Sequence, residues 1–261
     1  MRRLSLIAAG SVLALSACVQ TKQYADVEFA PPQGNYKLLV MRPDVSVGSV
    51  TTGGMVEPRA DWTETARANV LAALKAQQAE RGGNAFIMER RDSLPGIPAE
   101  TVAELDRLNY AVSQSIALHR YNGAYLPTKR GKGLDWTLGQ DAVALGQKSG
   151  MDYALFLHAE DSFASTGRVA LQVLGVAGCV VGFCAPNIGG GGQFAYASLV
   201  DLHTGDVVWF NVLQAGTQVA GINLGDIRKP EGAAQMVERL LGRMKPGKAV
   251  RQRAKGAPDV H

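Results

Sequence analysis

Four residues near the middle of the chain have the side chains that hydrolases use. His158, Asp161, Ser162 and Ser165 bring an imidazole, a carboxylate and two hydroxyls close together in sequence, and a serine hydrolase combines these groups into a catalytic triad. Their segment has the pattern of a β-strand, in which neighbouring side chains point to opposite faces. The chain also lacks the G-x-S-x-G motif that presents the serine in many hydrolases. The sequence therefore predicts no catalysis here, and a hydrolase with a site near His158 and Asp161 stays open as an alternative.

The remaining reactive side chains predict neither a metal nor a cofactor. The four histidines, scattered between positions 119 and 261, do not have the spacing of zinc ligands. Two of the three cysteines, Cys179 and Cys184, lie in an apolar segment with four residues between them. They could form a disulfide in an oxidising compartment or remain as two buried thiols. The four glycines at 189–192 are not followed by the Lys-Ser or Lys-Thr of a phosphate-binding loop, so nucleotide binding is not expected.

The first seventeen residues have the three parts of a secretory signal. Two arginines precede an apolar run from Leu4 to Leu15, and small residues follow up to Cys18. The run is shorter than the roughly 20 apolar residues that a helix needs to span a bilayer. We therefore expect residues 1–17 to be removed as a signal peptide.

The end of this signal, Leu15-Ser16-Ala17-Cys18, resembles the lipobox of bacterial lipoproteins. The resemblance implies that the Cys18 thiol takes a diacylglyceryl group, that the bond before it is cut, and that the new amine can be acylated too. Two or three acyl chains anchor a protein stably, whereas one binds a membrane only marginally. Val19 stands where the best-known inner-membrane retention signal has Asp, so the resemblance implies the outer membrane and its periplasmic face. An ordinary signal followed by an unrelated cysteine is the other interpretation.

The net charge of the chain is too small to indicate nucleic-acid binding. The formal net charge of +4 falls to about +2 without the two signal arginines. Basic residues gather in the tail at 247–261, which we expect to be disordered, and in the loop from Arg120 to Lys132. Both segments are expected to be solvated, and either could contact an acidic surface such as peptidoglycan. The expected partners are the membrane, reached by the N-terminal lipid, and envelope proteins or peptidoglycan.

An apolar stretch from Val169 to Ala185 is the other candidate contact surface. Gln172 and three glycines interrupt it, and its seventeen residues are short for a membrane span. Its composition predicts a strand from Arg168 to Leu174 that leads into a glycine-rich loop. Alternatively it meets the membrane or a second copy of the chain, through side chains such as Val173, Val176, Val180 and Phe183.

Hydrophobic periodicity predicts a single domain at residues 36–246, after a lipidated flexible tether at residues 18–35. Helical spacing predicts helices over 61–82, 99–119 and 135–150, and a last helix that begins at Pro230. Strands are expected at 36–41, 84–89 and 152–157, and a loop at 43–58. The predicted fold class is α/β (α+β), with a mixed sheet, packed helices and a late β-hairpin.

The late hairpin carries a second resemblance. Asp201, Thr204 and Gly205 suit a tight turn between two apolar runs, and Trp209 supplies apolar area after it. The segment is similar to the D-x-x-T-G-x-V-x-W hairpin of envelope lipoproteins, including the curli-secretion-channel-like group, the lipoprotein activators of penicillin-binding proteins and the amino-terminal domain of TolB. This resemblance implies an α/β sandwich that acts as an assembly or interaction module, without catalytic residues.

The sequence thus favours a membrane-anchored, non-catalytic binding or assembly module of the cell envelope. The hydrolase described above is one alternative. The other is an oligomeric pore component in which residues 169–185 contact the membrane.

Overall fold

The computed structural model describes residues 19–24, 36–81, 84–92, 94–121, 126–180, 189–215, 225–242 and 244. Within these residues, one sheet contains the strands β1 (Val19–Tyr24), β2 (Lys37–Val40), β3 (Asp44–Val50), β4 (Val56–Pro58), β5 (Asn84–Ile87), β6 (Tyr153–Ala164), β7 (Gln193–Asp201) and β8 (Val207–Ala215). The helices are α1 (Ala60–Arg81), α2 (Ala99–Arg120), α3 (Gln140–Ser149), α4 (Thr166–Val180) and α5 (Pro230–Leu241).

The sheet mixes parallel and antiparallel pairs in the order β1-β8-β7-β6-β2-β5. Strand β6 changes its parallel neighbour along its length: β2 lies beside its first residues, with Leu38 opposite Tyr153, and β3 beside the rest, with Asp44 opposite His158. Strands β6, β7, β8 and β1 pair antiparallel. The mixed sheet, the packed helices and the late hairpin confirm the predicted fold class.

Helices cover both faces of the sheet and bury two apolar clusters. Because side chains alternate along a strand, β6 sends Leu155 and Leu157 into a cluster with α1 and α5. It sends Ala154 and Phe156 into a second cluster with α2 and α3. The domain is therefore a three-layer α/β/α sandwich.

The predicted loop at residues 43–58 is wrong, because the segment contains β3 and its antiparallel partner β4. Val45 and Val47 are buried between polar neighbours, the alternation typical of a strand with one covered face. Glycines and serines in this stretch concealed that pattern. Strand β6 also continues to Ala164 rather than ending at 157, because β3 supplies the hydrogen bonds for its second half.

The predicted strand from Arg168 to Leu174 is also wrong, since these residues belong to α4. Ser165, expected in a turn, precedes the helix, and its hydroxyl accepts a hydrogen bond from the Arg168 backbone N–H at 3.4 Å. That contact is the usual role of a serine at a helix start. A short apolar run fits a buried strand and a helix equally well, and only the cap separates the two.

The segment after Cys18 differs from the predicted tether in one part. Val19–Tyr24 forms β1 along β8, with Val19 opposite Ala215 and Tyr24 opposite Phe210. Strand pairing uses backbone groups, so the polar sequence does not prevent it, and β1 covers what would otherwise be the open edge of β8. Residues 1–18, 25–35 and the predicted tail at 247–261 lie outside the described residues.

The predicted hairpin is confirmed, and its turn explains where α3 begins. Asp201 accepts the His203 backbone N–H at 2.8 Å, and Gly205 has a positive φ of 80°. The Leu138 backbone N–H donates to the Gly205 carbonyl at 2.7 Å. The loop before α3 is thus held against the turn, so the helix begins at Gln140 rather than at the predicted residue 135.

Candidate functional site

A pocket of about 370 Å³ opens between α2 and the sheet. It lies past the carboxyl ends of the parallel strands β2 and β5, where β3 replaces β2 beside β6. Crevices outside the carboxyl ends of strands, at a change in chain direction, are where open α/β sheets bind ligands. Six charged side chains line this one: Arg42, Asp44, Arg91, Asp106, Arg107 and His158.

Helix α2 supplies one wall of the pocket. Ala103, Asp106, Arg107 and Tyr110 line it, and their spacing of three and four residues places them on one side of a helix. The apolar residues Val102 and Leu105 face the core instead. Because helical periodicity was followed only through apolar residues, this polar stripe was missed in the sequence.

His158 lies at the sheet side of the pocket, inside a network of carboxylates and aromatic rings. The residue is only 6% exposed, with Nδ1 2.8 Å from the Asp44 carboxylate and Nε2 3.0 Å from that of Glu160. The ring stacks on Tyr196 at 4.9 Å between centroids, and Tyr110 contacts it edge-on at 5.2 Å. Both ring nitrogens thus face acceptors.

This environment keeps His158 protonated at neutral pH. Burial by itself would lower the pKa of His158, but the hydrogen bonds with Asp44 and Glu160 outweigh it and raise the pKa to about 9. The hydrogen bond with His158 in turn lowers the pKa of each carboxylate. An imidazolium has no free lone pair, so His158 cannot accept a proton from a nucleophile near pH 7.

The pKa of His158 predicts a specific loss of stability in alkali. Because the folded value of about 9 lies above the ordinary 6.5, the stabilisation is complete below about pH 6.5 and is lost as the pH rises through 9. We expect a decrease of roughly 1 to 3 kcal/mol in the free energy of unfolding. This is less than the free energy that corresponds to the whole rise in the pKa of His158, because Asp44 and Glu160 are both about half exposed and solvent screens their charges. Urea unfolding between pH 6 and 10 measures it.

Two variants complete that measurement. Above the pKa of about 7 of Asp161, His158→Gln should remove most of the decrease in the free energy of unfolding. His203→Gln, a change to an exposed histidine of the hairpin turn, should keep the wild-type slope. Equal slopes in wild type and His158→Gln would show that the ion pairs of His158 do not stabilise the fold.

Asp161 faces the other side of the sheet from His158, among residues that pack towards α1 and α5. It is buried, and its carboxylate accepts a hydrogen bond from Gln193 Nε2 at 3.1 Å. Burial raises the pKa of Asp161 to about 7. Ser162 bonds to Gly192, and Ser165 precedes α4. The four residue types of a triad therefore do not converge on one pocket.

A second surface, which we name the apolar end, consists of Met55, Val56, Leu171, Val173 and Leu174. These are five of the nine exposed large apolar or aromatic residues in the part of the chain that the structure describes. Helix α4 reverses the usual amphipathic pattern here, with apolar side chains exposed and a polar one buried. Leu174 is 67% exposed, while Gln172 is only 6% exposed. Arg168 joins α4 to the β3–β4 turn, since its Nη1 donates to the Thr51 carbonyl at 3.0 Å.

The sheet register places the start of β1 at this same end. Val19 lies opposite Ala215, Ala215 opposite Gln193, and Gln193 opposite Asp161 near the end of β6. Three strand spacings of about 4.8 Å give roughly 15 Å between Val19 and β6. Strand β6 then leads within a few residues into α4.

No family model matches the sequence, and no curated protein matches it. Solved structures do resemble its fold. A PelC dodecamer from Paraburkholderia phytofirmans is 12% identical, with 85% of this chain and 96% of that chain covered and a TM-score of 0.37. Lipoprotein GNA1162 from Neisseria meningitidis is 16% identical, with 80% and 95% covered and a TM-score of 0.30. With TM-scores below 0.5, these likenesses carry neither a function nor an assembly state over to this chain.

The structure describes only part of the predicted site residues. Val173 is exposed at the apolar end. The side chains of Val176, Cys179 and Val180, although these residues belong to α4, lie outside the described part, as do Cys18, Phe183 and Cys184. The disulfide and the lipidation of Cys18 thus stay predictions.

The described residues also set limits on metals and membrane spans. Within them, no group of three or more His, Cys, Asp and Glu side chains could hold a metal ion. None of the helices in these same ranges has both the length and the apolarity to cross a membrane. The pocket between α2 and the sheet contains arginine side chains, among them Arg42 and Arg91, which the sequence analysis did not predict as site residues. Arg42 and Arg91 each follow a parallel strand closely, and this placement was the available signal.

Proposed function

We propose that this chain is a lipid-anchored, non-catalytic binding module of the bacterial cell envelope, with its apolar end turned towards the bilayer. The observation that carries the proposal is the position of Val19. This residue follows the candidate lipid attachment site, Cys18, and lies at the same end of the sheet as the exposed apolar side chains.

Acyl chains on Cys18 would bring this end of the domain to the membrane surface. Large exposed apolar patches mark interaction surfaces, and at this end of the domain α4 exposes Leu171, Val173 and Leu174 while Gln172 is buried. In an aqueous setting this arrangement is unfavourable. Full burial of an exposed leucine side chain contributes about 1.5 to 3 kcal/mol. Leu171 and Leu174 are partly exposed, so against a bilayer each gains only the share of its exposed area.

The residues of the domain support binding rather than catalysis. His158 is cationic at neutral pH and held by Asp44 and Glu160, so it is unsuited to act as a base. Asp161 points to the opposite layer. The outer membrane is the proposed location, because Val19 rather than Asp follows Cys18, and envelope proteins or peptidoglycan are the proposed partners.

The proposal predicts how the full-length protein sits on a membrane. Cells grown with labelled fatty acid should label the wild type and not Cys18→Ser, because the thiol is the acyl acceptor. In vesicles that contain brominated lipid, the reconstituted Leu174→Trp variant should show a blue-shifted, strongly quenched indole emission. The control is Leu118→Trp, another exposed leucine, near the end of α2, which should show little added quenching.

Two results would contradict parts of this proposal. Label in Cys18→Ser would exclude lipidation at that thiol. Equal quenching in the two tryptophan variants would show that the apolar end does not face lipid. If Leu174→Trp is blue-shifted but unquenched, a second copy of the chain covers this end instead, and the size of the protein in detergent should then exceed that of a monomer.

A further inference from the structure

We propose that the pocket between α2 and the sheet binds a small ligand through a carboxylate or phosphate group, with Arg42 as its principal anchor. This inference goes beyond the proposed function, since it concerns a ligand pocket lined by none of the five residues of the apolar end.

Arg42 is a half-buried cation without an anion of its own. It lines the pocket, and no described residue forms a hydrogen bond or ion pair with its guanidinium. Burial lowers the pKa of Arg42, and the nearby Arg67 and Arg91 lower it further. The charges of Glu64 and Asp106 oppose this effect more weakly, without a hydrogen bond to Arg42. An anion bound at hydrogen-bond distance would therefore stabilise the partly desolvated guanidinium.

The carboxylates that line the pocket are already engaged by other side chains, and Asp44 shares the single charge of His158 with Glu160. Asp44 is paired with protonated His158 at 2.8 Å, and Asp106 with Arg91 at 3.1 Å. Arg107, exposed on α2, also lacks a hydrogen-bond or ion-pair partner among the described residues. Arg42 and Arg107 thus remain as the charged side chains of the pocket lining that have no hydrogen-bond or ion-pair partner among the described residues.

The shape and donors of the pocket fit a small anion-bearing molecule. A volume of about 370 Å³ falls within the range of small-molecule sites. A guanidinium offers paired N–H donors that match the two oxygens of a carboxylate or phosphate. Tyr110 lies at the rim, 41% exposed and edge-on to His158, and provides an aromatic surface for the uncharged part of the ligand.

Calorimetric titration of the full-length protein in detergent tests this inference. The probes are glucuronate for a carboxylate, glucose 6-phosphate for a phosphate, and glucose as the neutral control, in low-salt buffer free of phosphate. We expect at least one anionic probe to bind and glucose not to bind. Arg42→Gln should raise the Kd at least tenfold, and Arg42→Lys should recover part of the affinity, because the charge is kept and the paired donors are lost.

The matched control removes an equal charge elsewhere. Arg239→Gln, on the exposed side of α5, should leave the Kd unchanged, and unchanged thermal unfolding of all variants should exclude a folding defect. The inference is overturned if both anionic probes bind no better than glucose, or if Arg42→Gln binds them like the wild type. Neither result affects the quenching of Leu174→Trp, so failure here is separable from failure of the membrane placement.

Discussion

Replacing Trp209 by alanine should lower the free energy of unfolding by about 3 to 5 kcal/mol, the cost typical of truncating a large buried aromatic side chain. Trp209 is 1% exposed, lies in β8 opposite Leu199, and belongs to the apolar cluster under α1 and α5. A domain of this kind is stable by only roughly 5 to 15 kcal/mol. Urea unfolding followed by circular dichroism measures the change, and the variant should also be depleted in the cell.

The control for that loss is Trp209→Phe. The indole Nε1 is buried and has no hydrogen-bond partner among the described residues, so it carries a desolvation cost. Phenylalanine keeps most of the ring and removes this donor, and we therefore expect less than half of the alanine effect. If phenylalanine costs as much as alanine, the stabilisation by Trp209 depends on its indole N–H rather than on apolar burial.

Gly232→Ala in the first turn of α5 should destabilise the domain by about 2 to 3 kcal/mol, although helix propensity alone favours alanine by about 1 kcal/mol. A Cβ at Gly232 would lie 2.1 Å from the Asp226 carbonyl oxygen and 2.8 Å from the Asp226 nitrogen. These are backbone atoms, so the helix or the preceding loop must move. Chemical denaturation of the variant gives the value.

The loop cannot move freely, because Arg228 fixes it. Its guanidinium bonds the Asp226 carboxylate at 2.8 and 2.9 Å and lies 3.6 Å from the ring centroid of Phe163. As a comparison, Ala234→Gly on the exposed side of the same helix should cost only about 1 kcal/mol. A gain in stability for Gly232→Ala would mean that α5 and this loop are not in close contact.

Local signals predicted those elements whose pattern is repeated over many residues. In α1 and α2, apolar residues recur at helical spacing over about six turns each. In the hairpin, apolar residues alternate along the strands, and Asp201 and Gly205 define the turn between them. Strand β3 was missed because its partner, the second half of β6, is more than 100 residues away. Helix α4 was mistaken for a strand because its outward side is apolar, against the ordinary amphipathic pattern.

The pocket could not be derived from sequence for a related reason. His158 was considered with its neighbour Asp161, whereas its actual partners are Glu160, two residues on, and Asp44, which parallel pairing brings from another strand. Alternation along the strand did predict that His158 and Asp161 point apart. It could not predict that Arg42 and Arg91 converge, since this depends on which strands are neighbours.

The pairing of β1 with β8 also sets an order of events during synthesis. Val19 and its partner Ala215 are almost 200 residues apart, and contacts of such separation form late because the closing of a long loop costs entropy first. Strand β1 cannot be fixed before β8 has been made. Until then Val19 has no partner strand, and completion of the sheet draws this end of the chain onto the domain.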